Sequence, residues 1–129
     1  MIAAVETADG VVLVDVEAEA LLGPGSELPA AESPHVDLPR VVATAGAGST
    51  VVALLDRRPP LAISHDGGAT WHEAGGGLPA GFAIAVAEDD PDRMLYAARN
   101  RLYLSLNGGV FWRALVPELP DITGIAWID

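Results

Sequence analysis

The chain has 129 residues, half of them hydrophobic, with a net charge of −11 and no cysteine. That is the length of one domain with enough apolar material for a core. The acidic balance argues against nucleic acid and anionic membranes as partners, since both need positive surface, and the missing thiols exclude disulfides and thiolate metal sites.

From the start, Ile2–Glu6, Val11–Val16 and Ala18–Leu22 read as three strands. Val12, Val14, Val16, Ala18 and Ala20 fall on one face, and Asp15, Glu17 and Glu19 on the other. A helix over 16–22 is the competing reading, because Ala and Glu are weak strand formers. The opening residues carry no basic region and meet Glu6 early, unlike a signal peptide. No apolar run approaches the roughly 18 residues that span a bilayer. The expectation is a soluble, cytoplasmic protein. Residues 23–39 form a long connection rich in Pro, Ala, Ser and Glu, read as a lid, a partner-binding loop or a disordered stretch.

A second unit follows, with strands predicted over 40–46, 50–56, 61–65 and 69–74, and a third over 82–88, 93–98, 101–106 and 110–116. The two units repeat. Leu61-Ala62-Ile63-Ser64-His65-Asp66-Gly67-Gly68-Ala69-Thr70-Trp71 aligns with Leu102-Tyr103-Leu104-Ser105-Leu106-Asn107-Gly108-Gly109-Val110-Phe111-Trp112 at a constant offset of 41 residues. Leu78-Pro79 and Leu119-Pro120 share that offset, and Leu38-Pro39 lies 40 residues before Leu78-Pro79. Each Leu-Pro opens an apolar strand, the last being Ile122–Ile128. A period near 40 built of short strands is a propeller-blade signature.

With the strands of a blade lettered A to D from the inside out, the order is B-C-D, A-B-C-D, A-B-C-D, A. The predicted fold is all-β: one domain, residues 1–129, of three four-stranded antiparallel blades at about 1–37, 38–77 and 78–118, with 119–129 a closing strand. Three blades fall below the usual four to eight, and their end faces and sheet edges would be exposed. The expectation is a homodimer of six blades, each C-terminal strand completing its partner's first sheet.

Ser64-His65-Asp66-Gly67-Gly68-Ala69-Thr70-Trp71 resembles the Asp-box, or BNR repeat, of pattern Ser-x-Asp-x-Gly-x-Thr-Trp, at Ser64, Asp66, Gly68, Thr70 and Trp71. Ser105, Asn107, Gly109 and Trp112 mark a degenerate copy with Asn for Asp and Phe111 for Thr. The first blade has none. The family includes sialidases and other glycosidases, sortilin-like receptor domains and photosystem assembly factors. The resemblance implies that these boxes are structural: the Asx side chain accepts from turn amides, glycines take positive φ, and Trp71 and Trp112 wedge between blades. Sialidases of the family also carry an Arg-Ile-Pro motif and a tyrosine nucleophile. Arg57-Arg58-Pro59-Pro60 is not that motif, and Tyr96 and Tyr103 fall in strands B and C, away from the innermost strands.

Other chemistry is thin. The acids sit on solvent faces or in turns, His35, His65 and His72 are spread along the chain, and Gly75-Gly76-Gly77 lacks the Lys-Ser/Thr of a phosphate loop. No catalytic residue, metal site or cofactor is assigned. One clustering stands out: the B–C turns hold Arg57, Arg58, Arg99 and Arg101, four of only seven basic residues. Guanidinium forks suit carboxylate or phosphate, so an anion-binding face is expected there, competing with pairing to Asp56, Glu118 or Asp121. The functional expectation is a non-enzymatic binding or assembly module whose ligand is an anionic small molecule, a glycan or a protein; the alternative is a glycosidase-related hydrolase using channel-facing carboxylates.

Overall fold

Valine, isoleucine, leucine and alanine runs, cut by Gly, Pro and Asx turns, set the strands. The computed structural model describes residues 1–30 and 33–128, so Ala31 and Glu32 of the expected loop and Asp129 of the expected closing segment lie outside the described residues. Twelve strands among the described residues form three four-stranded antiparallel sheets.

Blade one holds β1 (Ile2–Thr7), β2 (Gly10–Asp15) and β3 (Ala20–Pro24), with the last strand of the chain, β12 (Ile122–Trp127), on its inner edge in the order β12-β1-β2-β3. Blade two runs β4 (Val41–Ala47), β5 (Thr50–Leu55), β6 (Leu61–Ser64) and β7 (His72–Ala74). Blade three runs β8 (Ala83–Val86), β9 (Met94–Ala97), β10 (Arg101–Ser105) and β11 (Arg113–Glu118). The strand β12 pairs antiparallel with β1 of its own chain, Val5 opposite Ile125 and Ala3 opposite Trp127. The sequence placed that strand on a twin's sheet; the chain satisfies the same edge by itself. The reason is proximity. The amide of Ile122 donates to the carbonyl of Arg99 at 2.8 Å, and that of Ala8 to Asp121 at 2.9 Å, so β12 starts beside β1 with little loop to close.

Blade three is the middle of the arc. One of its faces meets blade one through Ala83, Ala85, Leu95, Ala97 and Leu102 against Ala3, Val5, Val14 and Val16. The opposite face meets blade two through Ile84, Val86, Met94 and Tyr96 against Ala45, Val52, Leu54 and Ile63. No buried cluster of described residues joins blade one directly to blade two.

The space between them is taken by the connection from β3 to β4. Pro34, Val36 and Leu38 are half-buried, whereas Ser33, His35, Asp37 and Pro39 are exposed. This alternation is that of an extended chain laid on a sheet. Val36 and Leu38, with Trp71, cover Ala53, Leu55 and Ala62 on the outer face of blade two. The Thr44 hydroxyl donates to the Pro34 carbonyl at 2.8 Å. On blade one, Leu28 lies over Gly124, and Gly25 lies against Val11 and Leu13. The segment is a strap.

Boundaries differ from expectation where turns take more residues. Period 2 through 18–20 fails because 16–19 is a turn: Asp15 Oδ1 accepts from the Ala18 amide at 3.1 Å, and Glu19 adopts φ 55°. The third strand therefore starts at Ala20, and the competing helix does not form. The outer strands β7 and β11 start at 72 and 113 because the preceding turns consume the residues before them. Trp112 sits between blades two and three as expected. Trp71 does not wedge between blades, because the strap, and no sheet, lies on that face.

Closure in cis makes β12 part of the core. Replacing Ile125, buried in the blade one–blade three cluster, by Ala should cost about 2–3 kcal/mol, read from the denaturant midpoint. A change near zero would mean that β12 is only loosely attached.

Candidate functional site

The two repeated turns are built alike. In the first, the Ser64 hydroxyl donates to Asp66 Oδ1 at 2.7 Å and accepts the Gly68 amide at 2.8 Å. Asp66 also takes the Thr70 amide on Oδ1 at 2.9 Å and the Thr70 hydroxyl on Oδ2 at 2.6 Å. In the second, Ser105 donates to Asn107 Oδ1 at 3.1 Å and accepts the Gly109 amide at 2.9 Å, while Asn107 Oδ1 takes the Phe111 amide at 3.0 Å. An amide thus does the work of a carboxylate, minus the hydroxyl bond that Phe111 cannot give. Gly109, at φ 87°, lies so close to Ile63 Cδ1 that a Cβ would collide with it, so this turn locks blade three onto blade two. These residues tie turns, and none faces the central cavity.

The B–C arginines stand at one end of two adjacent blades. Arg57 pairs with Glu73 at 2.6 Å, Arg99 with Asp121 at 3.2 Å and Arg101 with Glu118 at 2.8 Å. Two of the acids named as competing partners, Asp121 and Glu118, are thus used, and Asp56 is replaced by Glu73. Arg58 is exposed and makes no ion pair among the described residues. It lies near enough to Tyr96 to oppose the rise of that phenol's pKa, which burial and neighbouring Tyr103 push up to about 12. Tyr96 donates to the Pro79 carbonyl at 2.7 Å and is part of the core.

At the other end, the inner strands β4, β8 and β12 and the strap surround a cavity of about 600 Å³. Small residues (Ala45, Gly46, Ala85, Ala126) line it beside the larger Ile84 and Trp127, and Glu88, Asp89 and Arg93 are its charged groups among the described residues. Arg93 is packed 4.7 Å from the centre of the Trp127 ring and 3.2 Å from Asp89 Oδ1. Trp127 donates Nε1–H to the Ala85 carbonyl at 3.3 Å, fixing its indole to blade three. Sequence reasoning missed this pair. The signal was Trp127 at the end of an inner strand, where side chains reach the centre. His65 and His72 stack at 5.4 Å, while His35 is on the strap; no group of three His, Asp or Glu side chains able to hold a metal forms among the described residues.

The chain is similar to the crystal structure of the GH74 enzyme of Niastella koreensis, at 25% identity and a TM-score of 0.51, over 92% of this chain and 18% of that one. The chain therefore spans under a fifth of the length of the structure it matches. No protein-family model matches it, and no curated protein does. Three antiparallel four-stranded sheets around a centre, with this likeness, define an all-β, propeller-like fold.

Hydrogen bonds, chiefly from the Thr70 and Ser64 hydroxyls and then the Thr70 amide, hold the Asp66 carboxyl far below the usual aspartate range. A lowered folded-state pKa gives stability that is fully present above the unfolded value and lost as pH falls toward the folded one. Asp66→Asn should therefore lower the urea midpoint at neutral pH. The gap from the parent should narrow below about pH 4, the unfolded aspartate range. A gap that stays constant down to acid would contradict the role of the charge.

Proposed function

We propose that the chain is an Asp-box propeller module that binds rather than transforms its ligand, and that it takes an anionic group on the B–C end. The observation that carries this is the placing of Arg57, Arg58, Arg99 and Arg101 on two adjacent blades of an acidic chain. Each of the three paired guanidinium groups meets one carboxylate, and a guanidinium has five N–H donors, so donors remain for a ligand carboxylate or phosphate. Arg58, exposed and without an ion pair among the described residues, is the natural anchor. The Asp-box reading is supported by the shared Ser–Asx–Gly bonding of the two turns.

A second reading, hydrolysis by channel-facing carboxylates, is favoured by Glu88 and Asp89 on the cavity and by the likeness to the GH74 enzyme. Glycoside hydrolysis uses two acids flanking the scissile bond. Glu88 and Asp89 are chain neighbours, both exposed, with Asp89 tied to Arg93, which counts against that reading.

Titration with inorganic phosphate and citrate decides the first reading. The parent should bind at least fivefold more tightly than the Arg58→Ala/Arg99→Ala variant, and equal weak binding by both would end it. Turnover of an aryl glycoside that disappears in Glu88→Gln and Asp89→Asn would establish the second.

A further inference from the structure

We propose that the strap covers, within one chain, a pair of sheet faces built to receive a second copy of this chain. The inference rests on the propeller reading of the fold and names its partner.

Blade three shows how blades mate. It offers one face to blade one through small and branched side chains such as Ala83, Ala85 and Leu95, and the other to blade two through Ile84 and Val86 with the larger Met94 and Tyr96. The arc therefore leaves over the outward face of blade two, with Ala53, Leu55 and Ala62, and the outward face of blade one, with Ala4, Leu13 and Ala126 opposite the side used by Val5 and Val14. These two faces are counterparts. One copy's blade one can meet another's blade two in the way that blade three meets its neighbours, and a two-fold axis makes both contacts at once. The product has six blades, within the range in which rings close. The partner's contribution is then docking of whole faces, since β12 stays in its own sheet.

The strap holds those faces weakly. Among the described residues, none from 26 to 39 makes a backbone–backbone hydrogen bond; the nearest are the Gly25 amide to Val11 and the Arg40 carbonyl from Asp56, both 2.9 Å. Its grip is Pro34, Val36 and Leu38 on blade two, and Leu28 on blade one. A segment without a ladder opens locally at less cost than a strand. On the strands that precede and follow the strap in the chain, Leu22 of β3 is 52% exposed and Val42 of β4 is 49% exposed.

The test uses two variants of the 129-residue chain beside the parent, each checked for folding by circular dichroism, with mass in solution measured across concentration. Val36→Ser/Leu38→Ser weakens the strap and should give twice the 13.3 kDa chain mass. Pro34→Cys/Gly46→Cys, whose positions approach to 3.3 Å between Pro34 Cγ and a Cβ on Gly46, locks the strap when oxidised, and the chain has no other cysteine to interfere. The oxidised form should remain at single-chain mass, and reduction should tighten self-association at least tenfold. A folded, monomeric Val36→Ser/Leu38→Ser protein overturns the proposal, as does self-association of the locked form equal to that of the reduced one. Unfolding of the serine variant overturns it too, because the strap would then be core. Loss of phosphate or citrate binding alone would leave these masses unchanged, so failure of the anion reading and of this one are separable.

Discussion

The antiparallel ladder between β12 and β1 is the constraint on which the remaining structure depends. The strand β12 pairs along β1 from Ala3 to Thr7 and covers the inner edge of that sheet, which would otherwise be bare. The return fixes more than one pairing. It places Ile122 and Ile125 beside Val5, Val14 and Val16, and so creates the face that blade three covers. It also carries Trp127 to the cavity wall, where Arg93 packs on its ring. Edge, core and cavity follow from one ladder.

Two end faces remain after that closure, and the strap answers for both. From 33 to 39 its residues are half-buried and exposed in turn, as strand residues are, but among the described residues none from 26 to 39 makes a backbone–backbone hydrogen bond to a sheet. The arrangement buries alanines and a leucine of blade two that would otherwise meet water, and apolar burial scales with area whether a sheet or a single strap provides the cover. The difference lies in cooperativity: a blade is tied by its ladder, a strap by a few side chains.

Much of the fold was legible in the sequence. The constant offset between Leu61–Trp71 and Leu102–Trp112 gave the blade period, and alternation with turn chemistry placed all twelve strands, most to within two residues. What failed has local causes. Period 2 ran unbroken through residues 16–19, yet Asp15 caps a turn there and Glu19 takes a left-handed conformation, which composition does not signal. The alternation of Pro34, Val36 and Leu38 was visible but hidden in a proline-rich stretch read as loop. The arginine cluster was legible as a cluster, whereas its partners were not: Glu73 lies on a neighbouring strand and meets Arg57 only through the β6–β7 register. The pairing of β12 with its own chain depends on distances that a repeat pattern does not contain.

The most direct measurement is amide hydrogen exchange of β12 in a fraction shown to have single-chain mass. Closure within the chain predicts that the amides of Ile125 and Trp127 exchange as slowly as those of Leu95 and Tyr96 in blade three. Rapid exchange across Ile122–Trp127 in that fraction, with β9 still protected, would contradict it.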